Sequence, residues 1–164
     1  MLAGSHLIFA NALFSNLTQS HLSAFILGII SHHLADRLPH LDLNLIKSTK
    51  YNDFSIFQLP LKLKIILFLE FLIGAIFVYY YFVDIHNINS LIIFYLSLGS
   101  LFPDLLRIFF KNKLGKFFPF SIYFNFHKNF HFRLSEKDSR LRVLIIQIII
   151  LVIALFFFQL TLIV

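Results

Sequence analysis

The sequence predicts an all-α integral membrane protein: a single helical-bundle domain with about five membrane helices and an aromatic, basic loop on the cytoplasmic side. Three observations lead there. Of the 164 residues, 59% are hydrophobic and 13% charged, against roughly 45–50% and 25% in soluble domains. Three apolar stretches reach the roughly 20 residues that an α-helix needs to cross a bilayer. Lysine and arginine crowd into two connecting loops and are absent from a third. A soluble domain of this size has too little interior to hide 23 Phe together with so much Ile and Leu, so lipid is the expected solvent.

The first helix is expected over residues 4–17. It is short for a membrane span, and either re-entry or packing inside the bundle would accommodate it. Its start lacks the basic stretch of a signal peptide, so it is read as part of the mature protein. Thr18-Gln19-Ser20 makes a polar turn, with Ser20 as N-cap of a second helix over 21–37. Pro39 stops that helix, because proline disfavours the α conformation in the residue before it. Three clear spans follow, over 61–83, 90–110 and 141–164. Between them, residues 41–60 form a polar and aromatic connector, and residues 111–140 the largest piece outside the membrane. Its stretch "KFFPFSIYFNFHKNFHF" is too aromatic for a solvated linker and is expected at the membrane interface or over the bundle.

Orientation follows from the basic residues. Arg37, Lys47, Lys50, Lys62 and Lys64 flank the first long connector; Arg107, Lys111, Lys113, Lys116, Lys128, Arg133, Lys137, Arg140 and Arg142 flank the second. The turn "DIHNIN" between the third and fourth helices has none. The positive-inside rule places both basic loops in the cytoplasm and the turn outside, the expectation for a multi-pass inner-membrane protein. Basic residues that flank apolar spans suit anionic headgroups, so the bilayer is the expected partner and nucleic acid is not.

The ionisable residues then fall at one depth. His6, His32, His33, Asp36, His40, Glu70, Asp104, His127 and His131 all map to the cytoplasmic halves of their helices or to the cytoplasmic loop. Such groups are costly inside a membrane and usually functional. With no cysteine in the chain, a metal site must use His, Asp or Glu, which points to zinc, manganese, iron or magnesium. His32 and Asp36 are four apart and His33 and Asp36 three apart, so either pair shares a helix face. The two histidines diverge by about 100°, which leaves room for one at a single site, with His33 favoured because Asp36 and His40 continue its row. His127 and His131 have the spacing that puts two imidazoles on one metal. Each has a plainer reading: interfacial histidines for the pair, and an ion pair with Arg107 for Asp104.

The stretches "GSHLIFANAL", "GIISHHLADRLPHLD", "LGSLFPDLL" and "FHKNFH" together resemble a group of small bacterial inner-membrane proteins described as predicted metal-dependent hydrolases, with a distant likeness to zinc-dependent phospholipase C. The resemblance implies His6, His32 or His33, Asp36, Asp104, His127 and His131 as metal ligands. Where that group has PDxD this chain has "PDLL", and where it has HRGxTH this chain has "HKNFHF". The expected function is thus a membrane-embedded hydrolase using a divalent metal, zinc first, on a phospholipid or other amphiphile at the cytoplasmic face. Asp36 or Glu70 would serve as general base. The alternative is a non-catalytic membrane protein whose His/Asp cluster fixes helix packing or holds a partner.

Overall fold

Six α-helices and one π-helical stretch make up most of the residues described by the computed structural model, which are 3–39, 60–130 and 140–163. The α-helices are α1 (Ala3–Phe14), α2 (His21–Arg37), α3 (Leu61–Val78), α4 (Ser90–Leu114), α5 (Phe120–Phe130) and α6 (Arg140–Ile163). No strand occurs among the described residues. His40, His131 and most of the two basic connectors lie outside them.

Several boundaries differ from those expected. α1 stops at Phe14, and the chain turns through residues 15–17, held by Ser15 N–H to the Asn11 carbonyl and Leu17 N–H to that of Phe14. Ser20 occupies the N-cap position of α2 with extended backbone, but its side chain makes no capping bond. Its carbonyl instead accepts the Ala24 N–H. α3 runs without interruption into a π-helical stretch, Tyr79–Ile85. α4 continues four residues past its expected end and carries Pro103 within it. α5 forms inside the aromatic stretch read as loop, since "FSIYFNFHKNF" contains neither Gly nor Pro to break a helix.

Of the described helices, two are long and apolar enough throughout to cross a membrane: Ser90–Phe110 and Leu141–Ile163. The other three expected spans fall short of that length and apolarity for physical reasons. At 12 residues α1 is only about 18 Å long by helical rise. α3 carries Lys62, Lys64 and Glu70 in its first ten residues. α2 has 17 residues and ends in Asp36-Arg37.

Two pairs of glycines set the close crossings. A Cβ on Gly28 of α2 would lie 2.4 Å from the Leu96 carbonyl oxygen of α4, and one on Gly99 would lie 2.1 Å from that of Phe25. Those distances are below contact, so only hydrogen fits, and α2 packs more extensively on α4 than any other two helices pack together. Likewise α1 meets α3 where Gly4 faces Gly74: a Cβ on Gly74 would overlap the Gly4 backbone, and one on Gly4 the Glu70 carbonyl oxygen. α6 packs on α1, and α5 lies across α2 and α4. Leu7, Ala10, Val78, Phe82 and Phe158 fill the apolar part of the interior.

Candidate metal centre

The glycine crossings decide where the polar side chains go. One turn beyond Gly28, His32 comes against α4, and its Nδ1 lies 2.7 Å from the Ser100 carbonyl oxygen. A carbonyl only accepts, so Nδ1 carries the hydrogen and donates it. Pro103 lies in the next turn of α4, and its missing N–H removes the usual helical partner of the Gly99 carbonyl. The Gly4–Gly74 crossing brings the start of α1, and with it His6, into the same interior: the His6 and His32 rings stack with centroids 4.2 Å apart. His127 comes in from α5, its ring 5.4 Å from that of His32.

Two carboxylates stand among these rings. Asp36 Oδ1 is 3.4 Å from His6 Nε2, and Asp36 Oδ2 is 3.1 Å from His32 Nε2. Asp104 Oδ1 is 3.5 Å from His127 Nε2 and 3.9 Å from His32 Nε2. His6, His32, Asp36 and His127 are essentially inaccessible, whereas Asp104 is 37% exposed and His33 half-buried, so the cluster opens on that side. Both ring nitrogens of His6 and Nε2 of His32 are buried without a hydrogen bond. With its hydrogen on Nδ1, a neutral His32 turns the Nε2 lone pair toward a carboxylate oxygen at 3.1 Å. Two acceptors at that distance require a cation or a second proton between or beside them.

Three overlapping sets of ligand atoms fit this requirement: His6, His32 and Asp36; His32, Asp104 and His127; and His33, Asp36 and His127. Within each set the atoms lie within 4.8 Å of one another. A tetrahedral zinc with bonds of about 2.0–2.1 Å holds its ligand atoms roughly 3.3 Å apart. The contacts of 3.1, 3.4, 3.5 and 3.9 Å bracket that spacing. These buried groups can therefore hold a metal ion.

Of the residues singled out from sequence, the structure brings together His6, His32, His33, Asp36, Asp104 and His127. His131 lies outside the described residues. Glu70 is placed elsewhere: its two carboxylate oxygens accept the backbone N–H groups of Gly4 and Ser5 at 3.0 and 3.2 Å, capping the start of α1. Both His32 and His33 reach Asp36, where the divergence of their directions had left room for one. Asp36 sits between them, with His32, rather than the favoured His33, at 3.1 Å. Asp104 makes no ion pair with Arg107 and turns to the histidines instead. His21 and His86 stay apart, His21 stacked on Tyr95 and His86 against Tyr81 and Phe158.

Two participants were not foreseen. The Ser100 carbonyl orients His32, and no side-chain pattern announces a backbone acceptor. Tyr123 stacks on His127 at 6.1 Å and meets His33 edge-on at 6.3 Å. Its position four residues before His127 on α5 was a usable signal. Burial first, then the nearby Asp104 and Asp36 carboxylates, push its phenol up to about 12, so it stays a neutral hydroxyl. Comparisons of the chain with family models, with curated proteins and with solved structures find no match.

Proposed function

We propose that the His/Asp cluster is a hydrolytic divalent-metal centre, zinc first, at the cytoplasmic face of a multi-pass inner-membrane protein, acting on a phospholipid or another amphiphile. The observation that carries it is the set of buried, convergent ligand atoms, above all His32 Nε2, oriented by Ser100 and aimed at Asp36 without a hydrogen bond of its own. Two histidines and a carboxylate leave a fourth position for water or substrate, the composition of catalytic rather than structural zinc sites. A divalent ion there would supply Lewis acidity and a water acidified toward neutrality. The chain's own residues do the rest. Ser100 fixes the His32 tautomer, the support that metal-binding imidazoles need from a second partner. Asp104 and His33, on the open side, face the entering substrate. Arg107, one turn past Asp104, adds positive charge for a phosphate. The membrane setting is supported by the large apolar side chains that α3, α4 and α6 turn outward, among them Ile73, Phe94, Ile148 and Phe156.

One other reading has an observation in its favour. The same short His–Asp contacts arise if His32 is protonated and the cluster is a buried ion-pair network that ties α1, α2, α4 and α5 together. Elemental analysis of protein purified in mild detergent separates the two. The metal reading expects at least one zinc or comparable ion per chain, and a thermal midpoint that falls on chelation and recovers on zinc addition. At 100 times its Kd, a bound ion stabilises by about 2.7 kcal/mol. Metal-free protein whose midpoint ignores both chelator and zinc would leave only the ion-pair network.

A further inference from the structure

A groove of about 270 Å³ lies beside the cluster, lined by Ile29 of α2, Phe102 and Leu106 of α4, and Pro119, Phe120 and Tyr123 at α5. Its walls are almost wholly apolar. Tyr123 joins groove and cluster, for the ring that lines the groove also stacks on His127 and meets His33. Phe102 and Leu106 belong to the same stretch of α4 as Asp104 but, at −2 and +2, to another face of that helix, so Tyr123 is the link between groove and cluster. The surroundings are apolar too: Ile26, Ile30, Leu105 and Ile122, on the same helices, are 38–59% exposed. This is a slot with a greasy rim at one side and buried imidazoles at the other.

We propose that this groove takes one alkyl chain of an amphiphilic substrate and so sets which amphiphiles reach the cluster. The inference rests on the reading of the cluster as a hydrolytic metal centre and names how its substrate is held. Volume argues for a single chain. At roughly 30 Å³ for a water-sized group, 270 Å³ holds about nine such groups, the length of one medium alkyl chain and too little for two. An alkyl chain without a headgroup has no reason to prefer this slot over the outer face of α6, whereas an amphiphile with an anionic head has one, because its head can reach the cluster past Tyr123.

The test uses the full chain in lipid nanodiscs and nonyl phosphate bearing a diazirine on its terminal carbon. After photolysis, adducts are mapped by peptide mass spectrometry. Labelling at Ile29, Phe102, Leu106 and Phe120 is expected to exceed that at Ile148 and Val152, on the exposed face of α6, by at least fivefold and to be displaced by unlabelled alkyl phosphates. Competitor potency should rise about fourfold per methylene and level off near nine carbons. Leu106→Trp, which fills the slot, should cut the labelling at least fivefold with metal content and helical content unchanged; Ile29→Phe serves from the opposite wall should that variant misfold. Equal labelling of groove and α6, or labelling that unlabelled chains do not displace, overturns the proposal whatever the metal content. Displaceable groove labelling on a chain that binds no metal supports the groove and overturns the metal reading instead.

Discussion

Asp36 has no accessible surface and has an imidazole nitrogen near each oxygen, His6 on one side and His32 on the other. Replacing it with Asn keeps the shape and removes the charge, and the two readings of the cluster then part. If a metal is held there, Asp36→Asn should weaken zinc binding by about 100-fold or more, since even indirect supports of a metal site are worth 10–100-fold. The rise in thermal midpoint that zinc gives the parent should then be absent from the Asn protein, whereas a cluster that holds no metal shows no such rise in either protein. If instead His32 is a protonated partner, the substitution strands a buried imidazolium and costs about 3–5 kcal/mol. Zinc competition titration and thermal melting in the presence of chelator read both numbers. Glu70→Gln gives the contrast. Its carboxylate caps α1 and stands apart from the cluster, so metal content should hold while stability drops by about 1 kcal/mol, the usual worth of a helix cap. A loss of metal in the Gln protein would return Glu70 to the site. The i, i+4 step from His32 to Asp36 could be read from spacing alone, because one helix sets it. The meeting of Asp104 with His127 could not, because it depends on how α4 and α5 pack.

Helix α2 reaches α4 closely enough for His32 to meet Ser100 because Gly28 and Gly99 have no side chains. Gly99→Ala sets two effects of opposite sign against each other. Alanine is favoured over glycine inside a helix by about 1 kcal/mol. A methyl placed 2.1 Å from the Phe25 carbonyl oxygen must push backbone aside, and overpacking of that kind costs about 1–3 kcal/mol. Backbone cannot swing away as a side chain can, so the net result expected is destabilisation. Because the same shift lengthens the His32–Ser100 contact, zinc affinity should fall about tenfold with it. A more stable Ala variant with unchanged zinc affinity would show that α2 and α4 do not touch there. The sequence carried the long helices plainly, since runs of Leu, Ile and Phe admit little else. It did not carry their ends or crossings. α4 outlasts its apolar stretch through "KNKL", which lacks a breaker, and α5 was hidden by a composition that suits a helix and an aromatic loop alike. The packing glycines were visible as letters, but only a partner helix gives them meaning.

Taken together, the described residues depart from the arrangement of a protein built for water, burying a polar cluster beside Phe82, Phe158 and Leu96. The largest fully buried side chains include His6, His32, His127, Asn11 and Asp36, while Ile73, Phe68, Val152 and Phe156 are more than half exposed. Apolar surface on that scale needs lipid or a partner to cover it, and composition alone foretold this much, because 59% hydrophobic residues exceed what a core of this size can hold. Depth and direction rest on the charges. The turn near Asp84 has no Lys or Arg, whereas the segment from Arg107 to Arg142 has nine, so the turn should face outward and that segment the cytoplasm. The absence of cysteine makes a direct measurement possible, since any thiol introduced is the only one. Asp84 and Lys116 are both exposed and lie on opposite sides of the Ser90–Phe110 span. In intact cells with the outer barrier opened, a membrane-impermeant maleimide should label Asp84→Cys and leave Lys116→Cys unmodified until the inner membrane is also breached. The reverse pattern would turn the molecule over and move the His/Asp cluster to the far side. Equal labelling of both, with the protein recovered in the soluble fraction, would remove the bilayer from the account and leave the outward-facing apolar residues to a protein partner.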